Sequence, residues 1–305
     1  MDAAIEARGL VRHFGSVPAV DGIDLYVPRG SVYGFLGPNG SGKTTTIRLL
    51  LGLLRPDRGS ISLLGGSPHD DSSLAQVGAI VERPAFYPYL SAHENLRLFA
   101  TLARMPSAEG SAAADRALGI VGLSSVARRK VGGFSTGMKQ RLAMALALLR
   151  DPTLVILDEP TNGLDPGGVV EVRGVIGELA RSGRTVFLST HVLTEVEQLC
   201  DRVAVLQRGR LVAEGLTKEL LERGQRLAIT FDTQEEAGGA ARVLAAAGLA
   251  SEPASDGDHT LLVTADRLGS SAVSRLLAGQ GLYPAELVIR RASLESVFLQ
   301  LTDGV

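Results

Sequence analysis

The sequence predicts an α/β fold: a mostly parallel sheet with crossover helices, an N-terminal antiparallel β subdomain, a helical insertion, and a small α+β C-terminal domain. Short apolar and β-branched runs alternate with longer helical patterns over most of the chain. The first two runs precede any helix, and residues from about 92 to 150 hold no convincing strand. Near residue 224 the composition shifts and a shorter alternation takes over.

In chain order, strands are expected at 5–11 and 23–27, which make the antiparallel piece, then at 31–36, 60–64, 77–81, 154–157, 185–188 and 203–206. Helical stretches are expected at 44–54, 138–150 and 169–181. Beyond 224, "RLAITF", "QEEAGGAARVLAAAGL", "HTLLVTA", "RLGSSAVSRLLAGQGL" and "AELVIRR" read as β-α-β-α-β, with "SEPASDGD" as a solvated turn. The expected domains are therefore 1–218 and 225–305.

Bulk properties narrow the function. With 305 residues, 45% hydrophobic and 21% charged, the chain can bury a core of one large domain or two ordinary ones. A net charge of −2 argues against a general basic field, so no nucleic acid partner is expected. The single cysteine, Cys200, excludes an intramolecular disulfide and suits a reducing compartment. The opening "MDAAIEARGL" lacks the basic and apolar stretches of a signal peptide, and no run of about 18 apolar residues occurs. A membrane role is expected only through a partner chain.

The chemistry begins at "GPNGSGKTT", residues 37–45, which fits G-x-x-x-x-G-K-[ST] between the strand "VYGFL" and the helix "TTTIRLLLGLL". Gly37, Pro38, Asn39, Gly40, Ser41, Gly42, Lys43, Thr44 and Thr45 form a phosphate loop. Gly40 and Gly42 let backbone N–H groups turn inward around phosphate oxygens, and the helix N-terminus adds partial positive charge. Lys43 supplies a point charge to the β/γ-phosphates, and Thr44 a hard oxygen for Mg²⁺. "LVILDEP", residues 154–160, is an apolar strand ending in two acids. Asp158 leaves its carboxyl end, where open α/β sheets bind ligands, and is expected in the Mg²⁺ shell. Glu159 can then act as general base on a water aimed at the γ-phosphate. "TVFLSTHV" repeats the pattern and places His191 to reach the γ-phosphate. In "GGFSTGMKQRLAMALALLR", Ser135 or Thr136 would cap a helix with a buried stripe of Leu142, Ala145, Leu146 and Leu149. Spacing alone makes that an ordinary capped helix.

In this order, the phosphate loop, "FSTGM", "LVILDEP", "NGLD" and "STH" resemble the ATP-binding subunit of ABC transporters, over residues 1 to about 218. The resemblance implies a P-loop NTPase core that hydrolyses ATP with Mg²⁺. It also implies a head-to-tail dimer, expected to be a homodimer, that sandwiches two ATP molecules. "FSTGM" stands where the family has its signature motif, so Ser135 and Gly137 would contact the γ-phosphate held by the second subunit. Phe14, in "VRHFGSVPAV", matches the adenine-stacking aromatic, and Asp165 matches the loop that communicates between the two sites.

"AIVERPAFYPYL", residues 79–90, fits the same frame. Family members usually carry Gln where this chain has Glu82, which the resemblance makes a Mg²⁺-shell residue. The following segment resembles the surface that receives a cytoplasmic helix of a separate membrane-spanning permease subunit, with Phe86, Tyr87 and Tyr89 as anchors. That partner would hold the chain at the cytoplasmic face of the cell membrane. "E-x-P-x-F-Y-P" looks most like the subunits that protect bacteria from bacitracin-like and lantibiotic peptides. The ending "SLESVFLQLT" resembles the tail domain of ABC-2-type drug and antibiotic exporters. The chain is thus expected to be the ATPase of a bacterial exporter of an antibiotic, drug-like, lipophilic or peptide substrate. An importer subunit or a soluble regulatory ATPase is the alternative. A GTPase is disfavoured, since none of the four lysines begins an [NT]-K-x-D motif.

Overall fold

A computed structural model of the chain describes residues 2–81, 84–223, 226–254, 259–264 and 270–290. The chain divides into two units, Met1–Gly215 and Leu216–Val305.

In the first unit, β1 (Ala3–Phe14) and β2 (Val17–Pro28) form an antiparallel hairpin, and β4 (Arg58–Leu63) pairs with the other side of β1. Alternation explains this sheet: Ile5, Ala7 and Leu10 pair with Val27, Leu25 and Ile23, and all six are buried. Both hairpin strands run further than the sequence pattern suggested. The strand expected at 60–64 joins this sheet rather than the parallel one, because its residues are exposed along much of their length.

The second sheet of this unit has the order β5 (Val77–Ile80), β6 (Leu154–Asp158), β7 (Thr185–Thr190), β3 (Val32–Leu36), β8 (Arg202–Gln207) and β9 (Arg210–Leu216). From β5 to β8 every pairing is parallel. Strands β3 and β7 are buried at every residue, as expected of a parallel sheet covered on both faces. Tyr33, Phe35 and Phe187 stack at its centre, with ring centroids 5.8 and 5.3 Å apart. Strand β9 was not anticipated. It returns through Arg208 and Gly209, whose φ values of 47° and 80° suit a type I′ hairpin turn.

Helices α1 (Lys43–Leu50), α6 (Pro166–Arg181) and α7 (Leu193–Leu199) follow β3, β6 and β7. A short α2 (Asp71–Leu74) precedes β5. The helical insertion consists of α3 (Ala92–Leu102), α4 (Ser107–Ile120) and α5 (Thr136–Ala147). Since β3, β6 and β7 are neighbours running the same way, the loops at their carboxyl ends meet along one edge.

Helix α7 packs closely on β3. A Cβ at Gly34 would lie 2.9 Å from Cys200 Sγ and 3.1 Å from Val196 Cγ1. Burial first, then the Asp201 and Glu195 carboxylates, push the Cys200 thiol up, so it packs as an inert group. Gly34→Ala is therefore expected to destabilise the chain by about 1–3 kcal/mol. Cys200→Ala in the same chain should recover part of the loss. Denaturant unfolding checks both, and a wild-type midpoint for Gly34→Ala would contradict this packing.

The second unit holds α8 (Thr217–Arg223), β10 (Arg226–Thr230), α9 (Gln234–Ala246), β11 (Ser251–Pro253), β12 (Thr260–Thr264), α10 (Ser270–Ala278) and β13 (Glu286–Arg290). From β10 onward the pattern is β-α-β-β-α-β, with sheet order β11-β12-β10-β13 and every pairing antiparallel. This is the ferredoxin-like arrangement. The expected β-α-β-α-β lacked one strand. "SEPASDGD" opens with β11, and its last four residues, like "SLESVFLQLT", lie outside the described residues. Among the described residues, no helix is long and apolar enough to cross a membrane.

Candidate functional site

The site is built on the β3–α1 junction. Gly42 adopts φ 109° and ends the loop at α1, which has no capping side chain. By contrast, Ser91, Ser135, Asp165 and Thr233 cap α3, α5, α6 and α9 with side-chain oxygens. The N–H groups of the first turn of α1 are thus left to an anion, and glycine is required because a Cβ at Gly42 would lie 2.3 Å from Ala19 O. Gly40, with φ 79°, leaves open space where its Cβ would be. A link the sequence did not reveal braces the loop. Gly209 N–H donates to Ser41 O at 2.9 Å, and Asp21 N–H donates to Gly209 O at 2.8 Å.

Lys43 is almost fully buried, its side chain only 4% exposed. Its Nζ donates to Gly37 O at 2.8 Å and Pro38 O at 3.2 Å, and stands 3.3 Å from Glu159 Oε1. Asp158 ends β6 and accepts from Thr44 Oγ1 at 2.7 Å through Oδ2 and from Ser189 Oγ through Oδ1. Ser189 lies on β7, whose register sets it opposite Asp158.

Glu159 adopts φ 45°, a region non-glycine residues seldom occupy and one that recurs at functional sites. Its N–H is held by Ser189, at 3.0 Å to Oγ and 3.2 Å to the carbonyl. Its carboxylate lies 3.4 Å from His191 Nδ1 and accepts from Asn162 Nδ2 at 3.1 Å. Lys43, Thr44, Asp158, Glu159 and His191 thus meet, and Ser189 and Asn162 join them. Thr44, Asp158, Glu159 and Asn162 share a hollow of about 230 Å³ with Ile80, Val81 and Gln140.

The donor set suits one kind of metal. A hydroxyl and a carboxylate oxygen lie together at Thr44 and Asp158, while no group of three or more His, Cys, Asp or Glu placed to hold a metal ion occurs among the described residues. Such a partial oxygen set fits Mg²⁺ held jointly with phosphates rather than an all-protein cage. Glu82 lies outside the described residues.

Ser135 and Asp165 stand elsewhere. Ser135 Oγ accepts from Met138 N–H at 3.2 Å, and Asp165 Oδ1 accepts from Gly168 N–H at 3.0 Å. Helices α5 and α6 begin side by side, since a Cβ at Gly137 would lie 3.4 Å from Gly168 Cα. One turn on, Arg141 reaches Glu171 at 3.1 Å. Among the described residues, no hydrogen bond or ion pair joins Ser135, Gly137 or Asp165 to the phosphate loop. Phe14 is 50% exposed at the end of β1.

The aromatic segment divides. Phe86 packs edge-on against Phe99 of α3, with centroids 6.1 Å apart, while Tyr87 and Tyr89 are 44% and 64% exposed. Asn95, fully buried, fixes this loop by accepting from Tyr87 N–H at 2.8 Å and donating to Ser91 O at 2.9 Å.

An uncapped helix behind a glycine loop, facing two acids at the carboxyl end of β6, defines a phosphate-loop nucleotide hydrolase. Comparison with known proteins takes this further. The family described as ABC transporter matches residues 20–162. Bacitracin transport ATP-binding protein BcrA of Bacillus licheniformis is 44% identical over 229 residues, 74% of either chain. Daunorubicin resistance ATP-binding protein DrrA3 of Streptomyces coeruleorubidus is 38% identical over 311 residues, 99% of this chain and 96% of its own. Among solved structures, cbiO1 from Clostridium perfringens, part of the ABC transporter complex cbiONQ, superposes with a TM-score of 0.66 at 29% identity. That match covers 72% of this chain and 91% of that one. The chain belongs to the ABC transporter family, as an ATP-binding protein and ATPase.

Proposed function

We propose that the chain is the ATP-hydrolysing subunit of a bacterial exporter of antibiotic, drug-like or peptide molecules. The observation that carries the ATPase part is Glu159, fixed between Lys43, His191 and Asn162 beside the Asp158–Thr44 pair. Transport of bacitracin and resistance to daunorubicin, named for two relatives, support the export part.

Phe14 stacks on the adenine and residues 37–45 cradle the phosphates. Lys43 exchanges its bond to Glu159 for phosphate oxygens, which frees that carboxylate. Thr44 and Asp158 would hold Mg²⁺, which would supply positive charge against the phosphates when bound. Glu159 then accepts a proton from water as the water oxygen bonds to the γ-phosphorus and the bond to the ADP oxygen breaks. His191 holds the γ-phosphate and Glu159 in one orientation. Ser135, Gly137 and Asp165, which among the described residues make no hydrogen bond or ion pair to their own phosphate loop, act on the nucleotide of a second copy in a head-to-tail dimer.

Tyr87 and Tyr89, braced by Phe86, receive a helix of a separate membrane-spanning subunit, which holds the chain at the cytoplasmic face of the membrane. Glu82, which follows Val81 in sequence and lies outside the described residues, would serve in the Mg²⁺ shell on this reading. Residues 225–305 form an accessory domain. Truncation after residue 224 should leave ATP affinity within about twofold, since every nucleotide-facing residue lies upstream; a truncated chain that folds but loses ATP would refute this division.

Efflux by cells expressing the chain with its membrane subunit tests the proposal. Export should vanish with Glu159→Gln. Persistent export with that variant, or wild-type ATPase activity without any membrane protein that copurifies, would overturn the exporter reading.

A further inference from the structure

One face of the Phe14 ring is already covered. The Arg12 guanidinium carbon lies over it, 5.3 Å from the ring centroid, within cation–π range. The guanidinium is itself clamped. Its Nη1 donates to Asp57 Oδ1 at 3.0 Å and to Arg55 O at 3.2 Å. Asp57 is fixed in turn: its Oδ2 accepts from His13 N–H at 2.7 Å, and its own N–H donates to Val11 O at 2.8 Å. The segment before β4 therefore fixes the end of β1 through one carboxylate, one carbonyl and one backbone N–H.

The location gives this clamp a purpose. Phe14 pairs with Val17 across the hairpin tip. Two residues further along β2, or about 7 Å of strand, Ala19 O touches the Gly42 turn of the phosphate loop. A half-exposed phenylalanine left alone must be ordered whenever a base stacks on it, and that ordering costs affinity. A planar cation fixed on the far face removes much of this cost. Arginine suits the task because its fork can bond to Asp57 and the Arg55 carbonyl while the guanidinium lies over the ring.

We propose that Arg12, clamped by Asp57 and the Arg55 carbonyl, is a positioning residue that backs Phe14 and presents its free face to the adenine ring. The inference rests on Phe14 being the adenine-stacking residue, and the experiment separates the two. Calorimetry on the full-length chain measures affinity for MgATP and for magnesium tripolyphosphate, which lacks a base. Arg12→Ala should weaken ATP by about three- to tenfold and leave tripolyphosphate unchanged. Phe14→Ala should weaken ATP at least as much, again without effect on tripolyphosphate. In the Phe14→Ala background, Arg12→Ala should then cost nothing further.

If Phe14→Ala weakens ATP and Arg12→Ala does not, Arg12 has no positioning role and the reading of Phe14 survives. If Phe14→Ala leaves ATP binding intact, the reading of Phe14 fails and the inference falls with it. Losses that simply add in the double variant, or that appear equally with tripolyphosphate, would place the effect of Arg12 elsewhere in the hairpin and overturn the proposal.

Discussion

Glu159→Gln is expected to bind ATP with near wild-type affinity and hydrolyse it about 10²–10⁴-fold more slowly. The amide keeps the reach and the hydrogen bond from Asn162 to this side chain, which lies 3.1 Å away. It cannot accept the water proton, so the loss falls on the chemical step alone. It also removes the negative charge beside Lys43, 3.3 Å away, which leaves that ammonium freer to meet phosphate. A phosphate-release assay at saturating ATP, paired with an equilibrium titration, separates the two effects. Hydrolysis at the wild-type rate would exclude Glu159 as general base.

Lys43→Ala is expected to do the opposite, weakening ATP binding by about 10²-fold or more through the loss of charge-assisted bonds to phosphate. Lys43 is the only lysine of the phosphate loop, and its ammonium is preorganised by the Gly37 and Pro38 carbonyls. Binding of labelled ATP to the variant checks this, with unchanged unfolding behaviour as the control for the buried position. Retained affinity would mean that the phosphates sit elsewhere.

What could be read from the sequence follows from how local each feature is. The phosphate loop was legible because its spacing encodes the geometry: Gly42 needs its φ of 109°, and Lys43 follows it directly. Asp158 and Glu159 were legible as acids at the end of an apolar run. Ser189 was not, because serine is common and its bond to Asp158 exists only once β6 and β7 pair in register. The brace from Gly209 to Ser41 was hidden for the same reason, with β9 unrecognised in a half-exposed run. In the C-terminal unit, β11 is only three residues long, too short for alternation to register. Aromatic crowding at 86–89 was visible, but its division into a packed Phe86 and exposed tyrosines depended on α3.

Among the described residues, the two helix starts at Ser135 and Asp165 make no hydrogen bond or ion pair to the phosphate loop of their own chain. On the proposed reading, two copies complete each other's sites. The direct measurement is the mass of the Glu159→Gln chain with MgATP, by size exclusion with light scattering, together with the nucleotide count. The expected species is a stable dimer carrying two ATP molecules, which separates when Ser135 is replaced by Arg. A monomer with ATP bound at saturation, or a dimer indifferent to Ser135→Arg, would contradict it.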